Sequence, residues 1–288
     1  MYPTIGLRLH DAAGVTLEDR IRNARAQGYT CVHIAMSKVV PGFSMNDAPA
    51  LLTEELAAEV RGLLEKYGVT CALLGCYLNL ATPDEAAYQH TLEIYKAHLR
   101  FAKMIGARMV GTETGTPTLD YSGTEESYTE ESLQLFIRRV TPVVRYAEEI
   151  GQMFAIEPVA THIVSTPERC QRVIEHFNSP CLRVILDAVN LLYVGNIARV
   201  DEILPDAVQR LGKYTELLHI KDYLDTYTED EKHIHYLKSL GCGLGSMGMR
   251  YKPLTDLAKT RDIPMTLEDT KPDNAEAARL HLKGIAEA

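Results

Sequence analysis

Apolar positions along the chain follow a repeated order: an amphipathic helix, a glycine, and then a short apolar run. In one such unit, Thr53 precedes a segment in which Val60 and Leu64 lie on one helical face. Threonine is favoured where a helix begins, and Gly68 is typical of a helix end because glycine adopts the left-handed conformation. The apolar run that starts at Val69 is then predicted to be a strand.

The same order recurs along the whole chain. Helix starts are predicted at Thr16, Thr82-Pro83, Thr129, Thr166, Val200 and Gly248, with a terminal helix from Asp273. Strands are predicted at residues 5–10, 31–36, 69–80, 109–111, 153–158, 184–187, 217–220 and 263–268. Eight strand–helix units favour an α/β fold of one domain, a single (β/α)₈ TIM barrel spanning residues 1–288. A doubly wound open sheet is the alternative.

Composition excludes several classes of protein. Of 288 residues, 46% are hydrophobic, which is enough for a large core. The net charge of −9 is spread along the chain without a basic stripe, so we expect no nucleic-acid partner. The longest apolar stretch, residues 69–81, is too short and interrupted to cross a bilayer, so we expect no membrane partner.

The cysteines and the first residues favour a cytoplasmic location. The six cysteines show no C-x-x-C spacing, which is typical of reduced, buried thiols. Residues 1–11 lack the charged-then-apolar pattern of a signal peptide.

Polar side chains end four consecutive predicted strands. Apolar runs finish at Glu157, Asp187, His219 and Glu268. In a TIM barrel the C-terminal strand ends carry the chemistry, so we expect these groups at one mouth. Three converging carboxylates repel one another, and a divalent cation removes that repulsion while leaving positions for substrate oxygens. The sequence therefore predicts one divalent metal ion (Mn, Mg, Co or Zn).

These strand ends resemble the xylose isomerase-like, sugar phosphate isomerase/epimerase superfamily over nearly the whole chain. The runs are Ile156-Glu157-Pro158, Ile185-Leu186-Asp187, His219-Ile220-Lys221-Asp222 and Leu267-Glu268. In ketose 3-epimerases of this superfamily, the matching residues bind one divalent metal, and the two glutamates exchange protons with the substrate. The resemblance implies that Glu157, Asp187, His219 and Glu268 are metal ligands and that Glu157 and Glu268 are catalytic.

The expected activity is isomerisation or epimerisation of a sugar, sugar phosphate or polyol. A metal that chelates a carbonyl and the adjacent hydroxyl acidifies the C–H between them. Glu157 or Glu268 removes that proton and leaves a metal-bound enediolate. Return of the proton to the other face epimerises the substrate, and return to the neighbouring carbon isomerises it.

Two departures from ketose epimerases leave alternatives open. Asn190 stands where they commonly have a histidine, and Asp225 stands where they have an arginine. A metal-dependent dehydratase of inosose or dehydroshikimate type is therefore an alternative, and a non-catalytic sugar-binding barrel is an alternative of another class. The endonuclease IV branch needs histidines at the ends of strands two to four, where this chain has Met36-Ser37, Cys76 and Glu113.

Further polar residues near the predicted strand ends are candidates for substrate binding. They are Glu113 after strand four, Lys221 after His219, His162 in the strand-five loop, Asn190, and His10 at the end of strand one.

The region after strand seven is predicted to be irregular. Residues 223–240, with His233 and His235, are expected to form a polar loop that caps the pocket. The glycine-rich run 241–245 is interpreted as a turn, because no Lys-Ser/Thr follows it as in a P-loop. Superfamily members are often dimers or tetramers, so a homo-oligomer is an open expectation.

Overall fold

The computed structural model describes residues 4–229 and 235–288, and its centre is a closed barrel of eight parallel strands. Around the barrel the strands follow the order β1-β10-β7-β6-β5-β4-β3-β2. The barrel strands are β1 (Ile5–Arg8), β2 (Cys31–Ile34), β3 (Thr70–Gly75), β4 (Met109–Glu113), β5 (Met153–Glu157), β6 (Leu182–Asp187), β7 (Thr215–Ile220) and β10 (Met265–Leu267). The predicted (β/α)₈ TIM barrel is confirmed.

Helices surround the barrel and connect its strands. The helices are α1 (Leu17–Ala26), α2 (Met36–Val39), α3 (Ala48–Leu51), α4 (Glu54–Tyr67), α5 (Glu85–Ile105), α6 (Glu130–Ile150), α7 (Pro167–Phe177), α8 (Val200–Leu211), α9 (Lys252–Arg261) and α10 (Ala275–Glu287). Their ends follow the local sequence. Thr53 accepts a hydrogen bond from Leu56 N at the start of α4, and Gly68 ends this helix in the left-handed conformation with φ of 61°.

The core has two parts. Side chains that point into the barrel form a small cluster, which consists of Cys31, Ala72, Leu73, Met109, Ala155, Ile185 and Leu217. A much larger apolar layer lies between the barrel and the helices. Because the barrel interior is filled by side chains, polar chemistry is confined to the strand ends.

The strand ends lie at one level, which brings their polar residues together. Glu113 is the register partner of Glu157, and Asp187 is the register partner of His219. Thr266, two residues before Glu268, pairs with His219 from the other side.

The first strand and helix α5 have other boundaries than predicted. The first strand ends at Arg8, and His10 lies in a short 3-10 helix, Leu9–Asp11. Helix α5 is capped by Asp84, which accepts from Ala87 N, so Thr82-Pro83 precedes the helix. A proline favours extended backbone for the residue before it, so Thr82 lies in the extended chain and the helix begins after Pro83, with Asp84 as its cap.

The predicted polar loop after β7 is wrong. Strands β8 (Asp222–Glu229) and β9 (His235–Leu240) pair antiparallel as a hairpin. Backbone hydrogen bonds between the two strands satisfy polar groups that a loop would leave to water. His233 lies outside the described residues.

Within the described part of the chain, none of the helices is long and apolar enough to cross a membrane.

Candidate metal centre and active site

The four strand-end residues meet at the mouth of the barrel. His219 Nδ1 lies 3.1 Å from Glu157 Oε2 and 3.4 Å from Glu268 Oε1. Glu157, Asp187 and His219 each offer a ligand atom, and these three atoms lie within 4.8 Å of one another. All four side chains are buried. The structure therefore brings together the residues that the sequence nominates as metal ligands.

Several polar atoms of this cluster have no hydrogen-bond partner among the described residues. Both ring nitrogens of His219 and Asp187 Oδ2 are in this state, although His219 Nδ1 lies within ion-pair distance of two carboxylates and Asp187 Oδ2 within ion-pair distance of Lys221. The other oxygen, Asp187 Oδ1, accepts from the backbone N–H groups of Val189 and Asn190. Buried polar atoms normally have partners, so these orphaned ligand atoms fit a divalent cation.

The negative charges of the buried carboxylates also favour a positive charge at this cluster. Burial disfavours a charged imidazole, yet the carboxylates of Glu268 and Glu157 raise the pKa of His219 to about 9. Burial, together with the charge of Glu157, raises the pKa of Asp187 to about 6 against the opposing charge of Lys221. A bound cation would take over the role of the proton on His219 and free its nitrogen for ligation.

Two basic side chains reach the carboxylates from the edge of the site. Lys221 Nζ lies 3.0 Å from Asp187 Oδ2 and 3.6 Å from Glu268 Oε2. Arg8 Nη1 lies 3.5 Å from Glu268 Oε2, and Arg8 Nη2 lies 2.6 Å from Asp269 Oδ1. Burial opposes ionisation of Glu268, but the charges of His219, Lys221 and Arg8 and a hydrogen bond from His33 hold its pKa well below the usual range. Glu268 is thus ionised and available as a ligand.

His33 belongs to this site, and the sequence analysis missed it. Its ring stacks on that of His219 with centroids 5.2 Å apart and planes 7° from parallel. Its Nδ1 lies 3.5 Å from Glu268 Oε1, and Tyr77 OH lies 3.3 Å from its Nε2. The predicted end of strand two at Met36-Ser37 is wrong, because β2 ends at Ile34. The available signal was a single histidine inside an otherwise apolar strand.

Asn190 lies beside Glu157. Its side-chain amide donates a hydrogen bond to Glu157 Oε1 over 2.6 Å. This contact fixes one carboxylate oxygen and leaves Oε2 directed at His219. Asn190 therefore contacts a candidate ligand as well as the cavity.

Glu113, the register partner of Glu157, lines the cavity and forms a second group with Tyr121 and His162. Tyr121 OH donates to Glu113 Oε2 over 3.4 Å, and His162 Nε2 lies 3.8 Å from the same oxygen. Gly115 N donates to His162 Nδ1, which leaves the proton of the neutral ring on Nε2. Burial lowers the pKa of His162 to about 4, and burial with the charge of Glu157 raises the pKa of Glu113 to about 7. The neutral ring of His162 thus lies beside Glu113 Oε2, beyond hydrogen-bonding distance, and the hydrogen bond from Tyr121 is the contact that orients the carboxylate.

A cavity of about 350 Å³ opens onto these groups. Its size is in the range of small-ligand sites. Its lining is mostly polar and comprises Arg8, His10, His33, Ala35, Ser37, Lys38, Met45, Gly75, Tyr77, Glu113, Glu157, Asn190, Lys221, Ser239, Glu268 and Asp269. A larger groove between α7 and α8 contains none of the candidate ligands, so the smaller cavity is the site of chemical interest.

The comparisons with known proteins agree with the barrel fold. Residues 21–285 match the family described as xylose isomerase-like TIM barrel. A D-tagatose 3-epimerase-like protein is 17% identical with a TM-score of 0.74, covering 100% of this chain and 97% of that chain. A xylose isomerase-like TIM barrel protein from Mycobacterium smegmatis, in complex with magnesium, is 16% identical with a TM-score of 0.69, covering 99% of this chain and 97% of that chain.

One further solved structure is longer than this chain. It is a xylose isomerase-like TIM barrel/4-hydroxyphenylpyruvate dioxygenase fusion protein, 16% identical with a TM-score of 0.68. The match covers 94% of this chain and 39% of the fusion protein. No curated protein matches the sequence. These identities show a shared fold, and the match to the family extends over most of the chain, so this chain belongs to the xylose isomerase-like TIM barrel family.

Proposed function

We propose that the protein is a divalent-metal-dependent isomerase or epimerase of a small sugar or polyol. The observation that carries the proposal is the meeting of Glu157, His219 and Glu268 within 3.1–3.4 Å, with both nitrogens of His219 lacking a hydrogen bond among the described residues. The solved relatives support a sugar substrate and a metal, since one is titled D-tagatose 3-epimerase-like and another contains magnesium.

Glu157, Asp187, His219 and Glu268 would hold the ion. When bound, it would polarise substrate oxygens and acidify the adjacent C–H group. The chain's own residues then move the proton. Glu157 and Glu268 come from strands on either side of β7, and they flank His219. One carboxylate removes the proton, and the other returns a proton to the opposite face of the same carbon, which inverts it.

The neighbours of these carboxylates fit the two roles. Asn190 fixes one oxygen of Glu157, and Lys221 and Arg8 neutralise charge beside Glu268. Barrel walls and the buried setting exclude water from the reacting carbon, which strengthens each electrostatic contact. If the same carboxylate returns the proton to the former carbonyl carbon, and the hydroxyl proton moves to the former carbonyl oxygen, the result is isomerisation.

A metal-dependent dehydratase is the second candidate, and Glu113 is the observation that favours it. This carboxylate faces the cavity but is not one of the four proposed ligands. A carboxylic acid in that position can protonate a leaving hydroxyl group, which a lyase requires. Mass spectrometry of the product separates the reactions, because a dehydratase releases one water and an epimerase conserves mass.

The experiment that tests the metal site is elemental analysis of the purified protein. We expect about one equivalent of a divalent metal per chain, lost in Glu157→Gln and His219→Ala. Matched controls are Glu149→Gln and His176→Ala, which change exposed residues on α6 and α7 and should keep the metal. Protein that contains no metal, and gains none after incubation with Mn²⁺, would rule out the proposed mechanism.

A further inference from the structure

The loop after β9 is built around a carboxylate of the protein itself. In TIM barrels, the loops after strands seven and eight frequently bind a phosphate through backbone N–H groups. Here Asp222 Oδ2 accepts from Gly243 N over 3.2 Å, and Asp222 Oδ1 accepts from Met247 N over 2.9 Å. Asp222 Oδ1 also accepts from Tyr223 N. The Asp222 carboxylate therefore accepts the hydrogen bonds that this glycine-rich loop could otherwise donate to a ligand.

The loop closes tightly over that carboxylate. Asp222 is 1% exposed. A Cβ atom at Gly245 would lie 2.6 Å from Asp222 Oδ1 and 2.2 Å from Tyr223 O, so only glycine fits there. Ser246 N donates to Tyr223 O and is also engaged. A substrate phosphate would have to displace a buried, hydrogen-bonded carboxylate to use these groups.

Cations that face the cavity are already paired with carboxylates. Lys221 contacts Asp187 and Glu268. Arg8 contacts Asp11 through Nε and Asp269 through Nη2. Neighbouring carboxylates neutralise these positive charges, so the two side chains attract an anionic ligand only weakly.

Lys38 differs from these two cations. It lines the rim of the cavity, is exposed, and forms no ion pair with a described residue. A single exposed lysine, held by the flexible stem of its side chain, contributes little to anion binding in water.

At the end of β4, beside Glu157, Glu113 presents a carboxylate oxygen to the cavity. Tyr121 and His162 both approach Oε2, and Oε1 accepts no hydrogen bond from a described residue. A free carboxylate oxygen accepts hydrogen bonds from hydroxyl groups and repels an anion. Tyr121 is held with φ of 62°, outside the usual region for this residue, which indicates that its position is fixed by its surroundings.

We propose that the site takes an uncharged sugar or polyol, selects against its phosphate ester, and uses Glu113, next to Glu157, to bind one of the substrate's hydroxyl groups. The inference rests on the proposed function and names the substrate class of the same cavity. Glu113 acts here as a specificity determinant, with Tyr121 as its positioning residue.

The test compares each free sugar with its phosphate ester. D-Fructose with D-fructose 6-phosphate, and D-ribulose with D-ribulose 5-phosphate, are added to the full chain loaded with Mn²⁺. Two readouts are taken: the shift in melting temperature, and deuterium exchange into the sugar from D₂O. We expect the free sugars to bind on the order of 10- to 100-fold more tightly than the esters.

Glu113→Gln tests the mechanism of selection, with the exposed Glu149→Gln as the matched control. The comparison is made at about pH 8.5, where Glu113, with a pKa of about 7, is ionised. Loss of the negative charge should then reduce the preference for the free sugar by about tenfold, while the control keeps it. Equal preference in Glu113→Gln and the parent would contradict the role of Glu113.

The outcomes separate the two proposals. If free sugars bind but none exchanges deuterium, the proposed function fails and the substrate class stands. Tighter binding of the esters overturns the inference, and so does failure of every sugar to shift the melting temperature.

Discussion

The side-chain amide of Asn190 and the carboxylate of Glu157 form a hydrogen bond of 2.6 Å. The backbone N–H of the same Asn190 donates to Asp187 Oδ1 over 3.1 Å. One residue thus orients two candidate ligands on neighbouring strands. Contacts of this kind fix the direction of ligand lone pairs and hold a metal site in shape.

Asn190→Ala should weaken the site without removing any ligand. Glu157 loses the donor to Oε1, while the backbone contact to Asp187 remains. We expect Mn²⁺ affinity or turnover to fall about 10- to 100-fold, measured by metal titration and by kcat/KM. Asn23→Ala, which removes a single exposed hydrogen bond to Ala13 O, is the control. Unchanged affinity and turnover in Asn190→Ala would show that Glu157 needs no such support.

His33→Ala should also reduce metal affinity. The ring of His33 stacks on His219 and contacts Glu268, so its loss frees both candidate ligands to move. The expected decrease in Mn²⁺ affinity is about 10- to 100-fold, and calorimetric titration measures it. The exposed His176→Ala serves as the control. If His33→Ala binds Mn²⁺ as tightly as the parent, His33 contributes only to packing.

Lys221→Met should destabilise the protein most when metal is removed. Lys221 pairs with two buried carboxylates, and loss of one partner from a buried pair costs about 3 kcal/mol or more. A bound cation compensates the same carboxylates, so Mn²⁺ should restore much of the loss. Urea unfolding in EDTA and in Mn²⁺ measures the difference, with the exposed Lys271→Met as control. An equal loss in both conditions would contradict this account.

His98 should contribute to acid destabilisation. It is fully buried in α5, and burial lowers its pKa to about 4 from 6.5. Below pH 6.5 the unfolded chain binds a proton that the folded chain does not, so stability falls as the pH falls from 6.5 to 4. Each such proton changes the free energy of unfolding by about 1.4 kcal/mol per pH unit.

His98→Leu should remove the part of the pH dependence of the free energy of unfolding that comes from His98. Urea unfolding at intervals between pH 4 and 6.5 gives the slope, and His90→Leu, on the exposed side of the same helix, is the control. A slope in His98→Leu that equals the parent slope would mean that His98 is protonated in the folded chain.

Gly6→Ala should destabilise the barrel. A Cβ atom at Gly6 would lie 2.7 Å from Cys31 O and 2.4 Å from Cys31 Sγ. Because the neighbouring strand cannot move freely, we expect a loss of about 1–3 kcal/mol in the free energy of unfolding. Gly62→Ala, which meets nothing within 4 Å inside helix α4, should instead gain up to about 1 kcal/mol. Equal effects would contradict the close approach at Gly6.

The barrel and the convergence of Glu157, Asp187, His219 and Glu268 could be predicted because each apolar run ends in its polar residue. The hydrophobic pattern along the sequence shows directly where each of these strands ends. His33 was missed because it lies inside a strand, where its inward direction depends on the register with neighbouring strands.

Other features depend on partners distant in sequence. The hairpin β8–β9 is predicted to be a loop, because residues 222–229 and 235–240 lack the regular apolar alternation that identifies a half-buried strand. Arg8 was not predicted in the site because its partners, Glu268 and Asp269, come from the other end of the chain. Only closure of the barrel brings these residues together.

Deuterium exchange from D₂O into a bound sugar, compared in Mn²⁺ and in EDTA, reports directly on metal-dependent proton transfer in the cavity. We expect exchange at the carbon beside the carbonyl in Mn²⁺, none in EDTA, and none in Glu157→Gln or Glu268→Gln. The exposed Glu149→Gln should exchange like the parent. If a sugar shifts the melting temperature yet takes up no deuterium in Mn²⁺, the barrel binds sugars without catalysing proton transfer, and the proposed function is wrong.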